Sequence, residues 1–566
     1  MKTLILMVGL PRSGKCLKNN TLINTDNGLQ YINEITKNSK TCTFNNINNI
    51  NNTFNRTTEK TVKLTTSIGN IIEGTYNHKL LVFTGDSFIY KTLDEIQLND
   101  VLCIKYDTNI FNNNLQPIDY IYEGNSKSHS KKIITPKNMN IHVAKLLGYL
   151  IANGSKSNTN IQFSTNNKYI INDFNNSLNT LGLKLSKDNL VCSIKFVKLI
   201  EYLYGSTWTT ARFKKIPIVI RKSSRDIQLN FIQALIDCDS YLDKNKNTLE
   251  YYTASEQLAR ELHIMLLNFG IVTSIHIKYS EKYNHNYYTL RFISGATGKF
   301  LGMINSIKYK GYKTNINTIN PTIYNLHNIF YNKVMDIKNE LNVRANGIYE
   351  NNKRFKLFKN GLRYFNDREF TYYTLKKYID TYEYNNDYKS LNSIIEFSKK
   401  ILNKSLFFVK VINKEYINNE QIVYDIEVEN EHNFIANGII SHNSSWAKVS
   451  GHPIVSADAI QYAMCGKHLT RLMDFICMGQ TFSEYMIRAL FIAGHDTVIL
   501  DDCNINIHER SMWTRICKEN NWELKFKHIN TSKEVCIERA KRFKNADILI
   551  PIIEELSKEQ TKWKQY

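Results

Sequence analysis

Short segments of alternating apolar and polar residues, separated by turn residues, fill the chain from 16 to about 122. Two clear examples are 28–32 and 61–66, and segments of the same kind return at 407–411 and 422–428. An alternation with period two predicts strands that bury one face. We therefore expect both ends of this region to form one all-β domain, with another domain inserted between them.

The middle of the chain has a different pattern. Apolar runs at 142–154 and 230–240 predict two buried helices, and a helical period over 252–270 closes on a glycine that predicts a C-cap. Residues 305–400 are rich in Lys, Asn and Tyr, and within them 353–365 interleaves cationic and aromatic side chains. This stretch is interpreted either as a contact to the DNA backbone or as a solvated helix face. Both interpretations stay open.

Both ends of the chain show the pattern of an α/β domain. The apolar run 4–8 predicts a buried strand, and 454–458 and 497–500 predict two more. A helix is predicted over 532–542. The first apolar run is short for a signal peptide and no run reaches about eighteen apolar residues, so we expect neither secretion nor a membrane span.

Composition narrows the class of protein. The 566 residues are too many for one core, so about two to four domains are expected. The net charge of +21 and the 12% of aromatic residues favour a polyanionic partner, although a lysine-rich solvated surface explains the charge equally well. Ten cysteines without C-x-x-C pairs indicate a reducing compartment and no disulfide framework. We expect a cytoplasmic protein.

Residues 9–16, GLPRSGKC, form a phosphate-binding loop without its last residue. The pattern G-x-x-x-x-G-K requires Ser or Thr next, because that hydroxyl holds the Mg²⁺ that bridges the nucleotide phosphates. Cys16 offers a soft thiol, which is a poor ligand for this hard cation. Joining Lys15 to Ser444 completes the loop and leads into a helix, so the 428 residues between them are interpreted as an insertion.

The insertion begins with Cys16, ends with His442 and Asn443, and is followed by a serine. It also contains a T-x-x-H sequence at 75–78 and the sequence YDIEVENEHNFIANG at 424–438. Together these features resemble an intein, a segment that excises itself and ligates its flanks. The resemblance implies the horseshoe-shaped all-β splicing fold, and it implies that splicing needs no cofactor.

The resemblance also assigns a role to each junction residue. Cys16 attacks the Lys15 carbonyl to form a thioester, and Ser444 then takes over the acyl group. Asn443 cyclises to a succinimide and frees the insert. A thiolate is partly populated at neutral pH, whereas a serine hydroxyl needs a neighbouring base. The supporting side chains implied by the resemblance are Thr75 and His78 at the first amide, Asp425 and His432 as the base for Ser444, and His442 at the last peptide.

The apolar runs 146–154 and 232–240 resemble the paired motifs of LAGLIDADG homing endonucleases. Small residues in both runs allow two helices to pack closely, so that their C-terminal ends meet over DNA. The resemblance implies an α+β domain at 135–305, a double-stranded DNA partner, and Mg²⁺ held by an acid at the end of each helix. Asp239 fills that position in the second motif. The first motif has Asn153, which supplies a carbonyl oxygen but no charge.

Between the motifs, KKIP at 214–217 resembles the lysine-containing block of the same endonucleases. The resemblance implies that Lys215 stabilises the charge that develops on the phosphate. Because Asn153 replaces an acid, metal binding and cleavage of one strand stay open questions at this point.

The ligated flanks resemble a phage-type polynucleotide 5′-kinase over nearly all of their 138 residues. The resemblance implies ATP and Mg²⁺ as cofactors, a nucleic-acid 5′-hydroxyl or another alcohol as acceptor, and a virus or phage as a compatible source. The resemblance also implies that Asp458 is the base for the attacking hydroxyl, and that Arg539 and Arg542, placed on one helix face by their i, i+3 spacing, clamp the transferred phosphoryl group. Cys503 stands where the family often has a hydroxyl residue. The residues that the resemblance implies for ATP binding are Gly9, Ser13, Gly14, Lys15, Ser444 and Ser445, and Ser444 also holds the Mg²⁺.

The sequence thus predicts a multidomain chain, in which an all-β horseshoe splicing domain contains an inserted α+β endonuclease domain and interrupts an α/β P-loop kinase. The alternative is a permanent multidomain DNA-binding ATPase whose insert is never removed, and Cys16 in the phosphate loop argues against it. The expected boundaries are 1–15 and 444–566 for the kinase parts, 16–130 and 405–443 for the splicing domain, 135–305 for the endonuclease, and 306–400 for a basic aromatic DNA-binding or linker region.

Overall fold

The structure, a computed structural model, divides into two compact units. One combines residues 1–14 with 444–566, and the other holds residues 15–443. We call them the flanking unit and the insert unit. The residues that the structure describes are 2–8, 16–122, 133–205, 210–312, 319–326, 329, 332, 370–383, 389–429, 431, 433–442, 452–457, 460, 473–502, 504, 507–528 and 554.

Two long antiparallel strands, Ile47–Thr66 and Leu406–Val428, form the spine of a twelve-stranded sheet in the insert unit. They pair along most of their length, with irregular register at three places. Leu17–Lys18, at the start of the insert, pairs with the second long strand. The prediction of one all-β domain built from both ends of the insert is therefore confirmed. The other strands of the sheet are Leu22–Thr25, Gly28–Tyr31, Lys40–Cys42, Ile71–Gly74, Lys79–Phe83, Phe88–Thr92, Val101–Lys105, Asn433–Ala436 and Ile439–His442.

Two helices, Tyr372–Glu383 and Lys389–Leu402, pack on this sheet. Their buried residues Leu375 and Ile401 belong to the same apolar cluster as Phe408 of the sheet. Most of these two helices lies within 306–400, which is predicted from sequence as a DNA-binding or linker region, and their apolar faces pack against the β-sheet. The two paired strands that precede them are Thr322–Ile323 and Phe370–Thr371.

Residues 133–312 form an α+β domain whose two halves have a similar order of elements. Each half has an apolar helix that runs directly into a strand: Ile141–Asn153 into Gly154–Lys156, and Arg225–Asp239 into Ser240–Asp243. We call these helices the first and second motif helices. The first half has a three-stranded sheet and the second a four-stranded sheet.

The remaining elements of this domain follow the same alternation. Its other strands are Asn160–Phe163, Leu190–Cys192, Thr248–Thr253, Thr273–Ser280 and His285–Phe292. Its other helices are Lys168–Asn179, Ile194–Tyr204, Ile218–Arg221, Glu256–Asn268 and Ala296–Met303. Short 3₁₀ turns in the insert unit are Ile32–Glu34, Ala211–Phe213 and Glu281–Tyr283.

Gly148 allows the two motif helices to touch. A Cβ atom on Gly148 would lie 2.6 Å from the carbonyl oxygen of Phe231 and 2.8 Å from the Cβ of Ala234. Since backbone cannot move aside as a flexible side chain does, a residue without a Cβ is required at this crossing. The predicted close packing of the two helices is confirmed at this position.

The β domain and the α+β domain share one apolar core. Leu17, Ile72 and Phe434 of the β domain belong to the same cluster of buried side chains as Leu147 and Leu235 of the motif helices. Burying apolar area across a boundary stabilises it by about 25 cal/mol per Å². The two domains are therefore packed together and not joined by linkers alone.

An ionic cluster crosses the same boundary. The guanidinium of Arg221 pairs with the carboxylate of Glu34 at 3.1 and 3.2 Å, donates to the carbonyl oxygen of Leu29 at 3.1 Å, and lies 4.6 Å above the ring of Tyr31. The Tyr31 hydroxyl donates to the carboxylate of Glu261. Burial raises the pKa of Glu261. The cluster satisfies groups that would be costly to bury without partners.

The flanking unit contains a sheet of four parallel strands. Thr3–Val8 lies between Thr497–Leu500 and Glu523–His528, and Ile454–Val455 pairs with Thr497–Leu500 on its other edge. Counted along the chain, the strand order is 2-3-1-4. A strand from before the insert is thus paired with strands from after it, as the α/β pattern predicts.

Two described helices belong to the flanking unit, Met473–Ile492 and Ile507–Glu519. Over the described part of the chain, no helix combines the length and the apolar character needed to cross a membrane.

Candidate functional site

Cys16, at the start of the insert, is held by Thr75. The Cys16 N–H donates to Thr75 Oγ1 at 3.1 Å, and the Thr75 N–H donates to the Cys16 carbonyl oxygen at 2.9 Å. The Thr75 hydroxyl donates in turn to Asn77 Oδ1 at 2.8 Å, so its oxygen is free to accept the Cys16 N–H. Cys16 itself is buried. The amide that ends at the Cys16 nitrogen therefore has a fixed hydrogen-bond partner.

The strand that leads to Thr75 comes unusually close to Cys16. A Cβ atom on Gly74 would lie 2.6 Å from the Cys16 carbonyl oxygen, so glycine is needed for this approach. The neighbouring Glu73 is buried and accepts a hydrogen bond from Lys18 at 2.8 Å. This ion pair joins the segment just after Cys16 to the segment just before Thr75.

His78 lies three residues after Thr75 and is fully buried. The backbone N–H of His78 donates to the Thr75 carbonyl oxygen at 2.8 Å, which closes a tight turn. Its ring lies 6.5 Å from the ring of Phe434. The T-x-x-H spacing thus places an imidazole and the hydroxyl that contacts Cys16 on one turn.

The last hairpin of the insert, 433–442, carries the chain back to this turn. Asn437 and Gly438 form its tip with φ of 48° and 82°, a left-handed pair that Asn-Gly adopts at low cost. The Asn437 side chain accepts from the N–H of Leu22 at 2.7 Å and donates to the carbonyl oxygen of Ile71 at 2.8 Å. One amide therefore fixes the hairpin to two strands from the beginning of the insert.

The final strand of the hairpin runs along the strand that follows His78. Ser441 lies opposite Leu80 in the antiparallel register. His442, the next residue, has its ring 4.9 Å from the ring of Tyr90. The structure therefore brings the end of the insert to the strand that begins beside its predicted catalytic histidine.

Asp425 is buried on the long strand next to the start of the insert. Its neighbour Tyr424 is paired with Leu17, so the register places Asp425 next to the position of Cys16. The Asp425 carboxylate accepts the N–H of Ile426 at 2.9 Å. The sequence-predicted residues Cys16 and Asp425 are thus neighbours across one ladder.

Other sequence-predicted residues fall outside the described part of the chain. They include the three remaining splicing residues, the nucleotide loop and the kinase side chains: His432, Asn443, Ser444, Ser445, Gly9, Ser13, Gly14, Lys15, Asp458, Cys503, Arg539 and Arg542. The basic aromatic stretch 353–365 and the helix predicted at 532–542 also lie outside it.

In the α+β domain, two lysine side chains donate hydrogen bonds to carbonyl oxygens at the C-terminal ends of the motif helices. The Lys214 ammonium donates to the carbonyl oxygens of Ile151 and, at 3.1 Å, Ala152, at the end of the first motif helix. The Lys308 ammonium donates to the carbonyl oxygen of Ser240, just after the second. Cations are favourable at these ends, because the last carbonyl groups of a helix lack partners and its dipole is negative there.

Asp239 interacts with both lysines. Burial raises the pKa of Asp239, and the charges of Lys214 and Lys308 lower it. Burial lowers the pKa of Lys214, and Asp239 opposes that shift. The backbone N–H of the sequence-based candidate Lys215 donates to the hydroxyl of Tyr204 at 3.1 Å. Lys214 and Lys308 are the cations whose charges act on Asp239, and no local motif indicates Lys308.

Asn153 ends the first motif helix, and its side chain hydrogen bonds to the thiol of Cys238. Within the ranges that the structure describes, no three His, Cys, Asp or Glu side chains are grouped as metal ligands. Mg²⁺ is often held by one or two carboxylates while phosphate and water oxygens complete its shell. Asp239 with the Asn153 carbonyl oxygen fits such a shared site and not an all-protein cage.

The β-sheet that joins both ends of one segment around Cys16 defines an autoprocessing type of domain. The model of the intein splicing domain matches residues 22–443, about three quarters of the chain. The chain belongs to this intein family.

Two curated proteins of Methanocaldococcus jannaschii are similar to the chain. Glutamine–fructose-6-phosphate aminotransferase (isomerizing) is 24% identical over 361 residues, which cover 59% of this chain and 30% of the relative. Probable translation initiation factor IF-2 is 25% identical over 421 residues, which cover 63% and 35%. The chain thus spans about a third of the length of the curated relatives it matches. The two names share no activity, so neither is transferred to this chain.

Two solved structures are similar to separate parts of the chain. The crystal structure of the gp41-1 intein is 22% identical, with 16% of this chain and 70% of that chain covered and a TM-score of 0.15. The homing endonuclease I-DmoI in complex with DNA and Mn is 19% identical, with 31% and 100% covered and a TM-score of 0.23. Neither score is high enough to establish a common fold.

Proposed function

We propose that residues 16–443 excise themselves and that Lys15 is thereby ligated to Ser444. The observation that carries this proposal is the pair of hydrogen bonds between Cys16 and Thr75, which fixes the amide to be opened. The hairpin that carries His442 back to the strand after His78 supports it further.

The first step exchanges an amide for a thioester. Cys16 Sγ attacks the Lys15 carbonyl carbon, the bond from that carbon to the Cys16 nitrogen breaks, and the nitrogen gains a proton. Thr75 Oγ1 orients the N–H of this amide, and His78 is the candidate acid that protonates the nitrogen. A thiol is a stronger nucleophile than a hydroxyl and needs little activation for this attack.

The later steps move the acyl group and release the insert. Ser444 Oγ attacks the thioester with Asp425 and His432 as the candidate base, and the Cys16 thiol leaves. Asn443 Nδ2 then attacks its own carbonyl carbon, and the bond to the Ser444 nitrogen breaks as that nitrogen takes a proton. The new amine attacks the ester at Ser444 Oγ, which restores a peptide bond.

Intact mass spectrometry of the freshly expressed chain tests this proposal. We expect a ligated product of 138 residues and an excised product of 428. Asn443→Ala should accumulate precursor or branched species, and Cys16→Ala/Asn443→Ala should keep all 566 residues in one chain. A wild-type chain that stays intact like the double variant would contradict the proposal. That result would favour the permanent ATPase, for which the family match offers no support.

For the ligated flanks we propose an ATP-dependent kinase that acts on nucleic-acid 5′-hydroxyl groups. In open parallel sheets, ligands bind outside the carboxyl ends of the strands, where the strand order reverses. The order 2-3-1-4 reverses beside Thr3–Val8, and the phosphate loop follows that strand directly in the sequence. Lys15 and Ser444 are the candidates to hold the ATP phosphates and Mg²⁺.

A transfer assay with [γ-³²P]ATP and a 5′-hydroxyl oligonucleotide tests the kinase. The ligated product should be active, and the Cys16→Ala/Asn443→Ala precursor inactive, because its loop is interrupted. Asp458→Asn should slow transfer by about 100-fold or more, the usual contribution of a general base. Transfer to a small alcohol but not to the oligonucleotide would keep the kinase and reject the acceptor.

For the α+β domain we propose binding of double-stranded DNA and cleavage of at least one strand. One face of the four-stranded sheet is buried, and the opposite face presents aromatic and cationic side chains. These exposed side chains are Tyr241, Tyr252, Lys278, Tyr287 and Arg291. On this face Glu250 already pairs with Arg291 at 2.7 Å and accepts the Tyr252 hydroxyl at 2.6 Å. Lys278 therefore offers the positive charge for a phosphate, and the hydroxyls of Tyr241 and Tyr287 offer hydrogen bonds to a DNA backbone.

Asp239 and Asn153 are the residues that would hold Mg²⁺ at the meeting ends of the motif helices. The ion would activate water and stabilise the leaving oxygen. Lys214 and Lys308 place positive charge at the same ends, where a scissile phosphate would be attracted. Asn153, Lys214 and Lys308 carry no negative charge. Cleavage should therefore depend on the carboxylate of Asp239.

A plasmid carrying the coding sequence of the ligated flanks, joined without the insert, tests the nuclease. With Mg²⁺, the wild-type excised insert should nick or cut it. Asp239→Asn should bind with the same salt dependence and leave it intact. DNA binding without any cleavage by the wild-type insert would keep the DNA partner and reject the nuclease.

A further inference from the structure

We propose that Tyr90 is a positioning residue for His442. Their ring centroids are 4.9 Å apart and the ring planes meet at 89°. Edge-to-face contacts of this kind are a preferred arrangement of aromatic rings, because the positive edge of one ring meets the negative face of the other. The contact therefore restricts the orientation of the His442 imidazole. The inference rests on the proposed splicing function and adds a residue to it.

The sheet topology brings these two residues together from distant parts of the chain. Leu80 is paired with Lys91 on one side and with Ser441 on the other. The strand that carries Tyr90 and the strand that carries His442 are thus on opposite edges of the same central strand. Their long side chains meet across it.

Tyr90 lies on a strand that packs into an apolar cluster. Two residues earlier on the same strand, Phe88 packs against Phe44, Phe83 and Phe397 at centroid distances of 5.6, 5.5 and 5.5 Å. Tyr90 packs against the same apolar cluster. A strand fixed in this way presents the Tyr90 ring to His442 in one position.

The step that depends on this contact is the cyclisation of Asn443. When Asn443 Nδ2 attacks its own carbonyl carbon, the bond to the Ser444 nitrogen breaks, and that nitrogen must receive a proton. His442 is the candidate donor, and an imidazole that rotates freely offers its N–H in the required direction only part of the time. We assign Tyr90 a role that acts through His442, on the basis of the ring contact. It should therefore affect cyclisation and leave thioester formation unchanged.

Two precursor variants separate these steps. In Cys16→Ala, release of the C-terminal flank reports cyclisation alone. In Asn443→Ala, release of the N-terminal flank by dithiothreitol reports the thioester alone. Tyr90→Leu should slow the first reaction by about two- to twelvefold, the value of one aromatic pair, and leave the second unchanged. Tyr90→Phe, which keeps the ring, should behave as the parent in both reactions.

Phe88→Leu is the matched control, because it alters the same strand and cluster without touching His442. Cyclisation should be faster in Phe88→Leu than in Tyr90→Leu. In a Cys16→Ala/His442→Ala background, Tyr90→Leu should cause no further loss. The inference is overturned if Tyr90→Leu slows both reactions alike, if Phe88→Leu has the same effect, or if the loss persists without His442. A parent precursor that releases neither flank would instead overturn the proposed splicing function itself.

Discussion

Thr75 makes two hydrogen bonds to Cys16, one with the Cys16 N–H and one with the Cys16 carbonyl oxygen. Its side-chain oxygen accepts the Cys16 N–H at 3.1 Å, and its own N–H donates to the Cys16 carbonyl oxygen at 2.9 Å. The first hydrogen bond holds the Cys16 N–H, which belongs to the amide that the proposed first step opens. The second holds the Cys16 carbonyl group. The Cys16 thiol is thus attached to a backbone whose position Thr75 determines.

Replacing Thr75 by valine keeps the shape and removes the acceptor. Losing one partner of a buried hydrogen bond costs about 1–3 kcal/mol, so thioester formation should slow by about five- to 150-fold. Release of the N-terminal flank by dithiothreitol, followed by intact mass in an Asn443→Ala background, measures this rate. Thr75→Ser retains the acceptor and should recover most of it. A Thr75→Val precursor that reacts as fast as its parent would remove Thr75 from the mechanism.

Lys214 and its neighbour Lys215 offer a comparison within one segment. Lys214 lies near Asp239 and contacts the end of the first motif helix, whereas the Lys215 backbone contacts Tyr204. Lys214→Met should slow DNA cleavage by about 100-fold or more, as loss of a fixed charge at a reacting phosphate does. Lys215→Met should cleave at close to the wild-type rate. Gel assays with Mg²⁺ distinguish the two, and equal effects would contradict the assignment.

Arg221 should contribute to the stability of the whole insert. Its removal takes the cation from the Glu34 carboxylate, which keeps the Tyr31 N–H at 3.1 Å, and a donor from the Leu29 carbonyl oxygen, which should cost about 1–3 kcal/mol. We expect Arg221→Met to unfold at lower urea concentration in a Cys16→Ala/Asn443→Ala precursor. Adding Glu34→Gln should cost less than the sum of the single changes.

A surface ion pair provides the control for Arg221. Lys63 and Glu415 are 3.3 Å apart, and their side chains are 29% and 46% exposed, whereas Arg221 is 6% exposed. Lys63→Met should therefore cost no more than about 1 kcal/mol. If Arg221→Met proves as mild as Lys63→Met, the boundary between the two domains does not depend on the ionic cluster.

His263 should make the insert less stable in acid. It is fully buried against Thr273, with Nδ1 2.7 Å from the hydroxyl oxygen, and burial lowers its pKa to about 3. The unfolded chain binds a proton near its ordinary value of about 6.5, so the stability contribution is present above that pH and is lost as pH falls towards 3. Between pH 7.5 and 5 the loss should be about 2 kcal/mol. Urea unfolding of wild type and His263→Gln should show this pH-dependent difference, and parallel curves would contradict it.

The junctions of the insert could be predicted from sequence because each is a short pattern with fixed spacing. T-x-x-H places Thr75 and His78 on one turn, and the structure shows that turn. The prediction of an interrupted phosphate loop at Cys16 needs only the local pattern G-x-x-x-x-G-K and no knowledge of the fold. Strands from both ends were also predictable, since alternation reports burial of one face whatever the partner strand is.

Contacts between distant segments could not be predicted in this way. Arg221 and Glu34 are 187 residues apart, and Lys308 reaches the end of a helix about 70 residues earlier. The choice between Lys214 and Lys215 depends on a one-residue register that composition does not fix. The helix Lys389–Leu402 did leave a signal, because Ile394, Ile395 and Ile401 follow a helical period within a stretch dominated by lysine and asparagine.

The parallel pairing of Thr3–Val8 affects the products of a splicing reaction that stops at the thioester. Its six residues are joined by backbone hydrogen bonds to Thr497–Leu500 and Glu523–His528. If water or a small thiol opens the thioester before Ser444 does, the amino-terminal peptide is cut from the rest of the chain but still occupies the centre of a sheet. Such a severed host would travel as one particle in size-exclusion chromatography and separate into two peptides only when denatured.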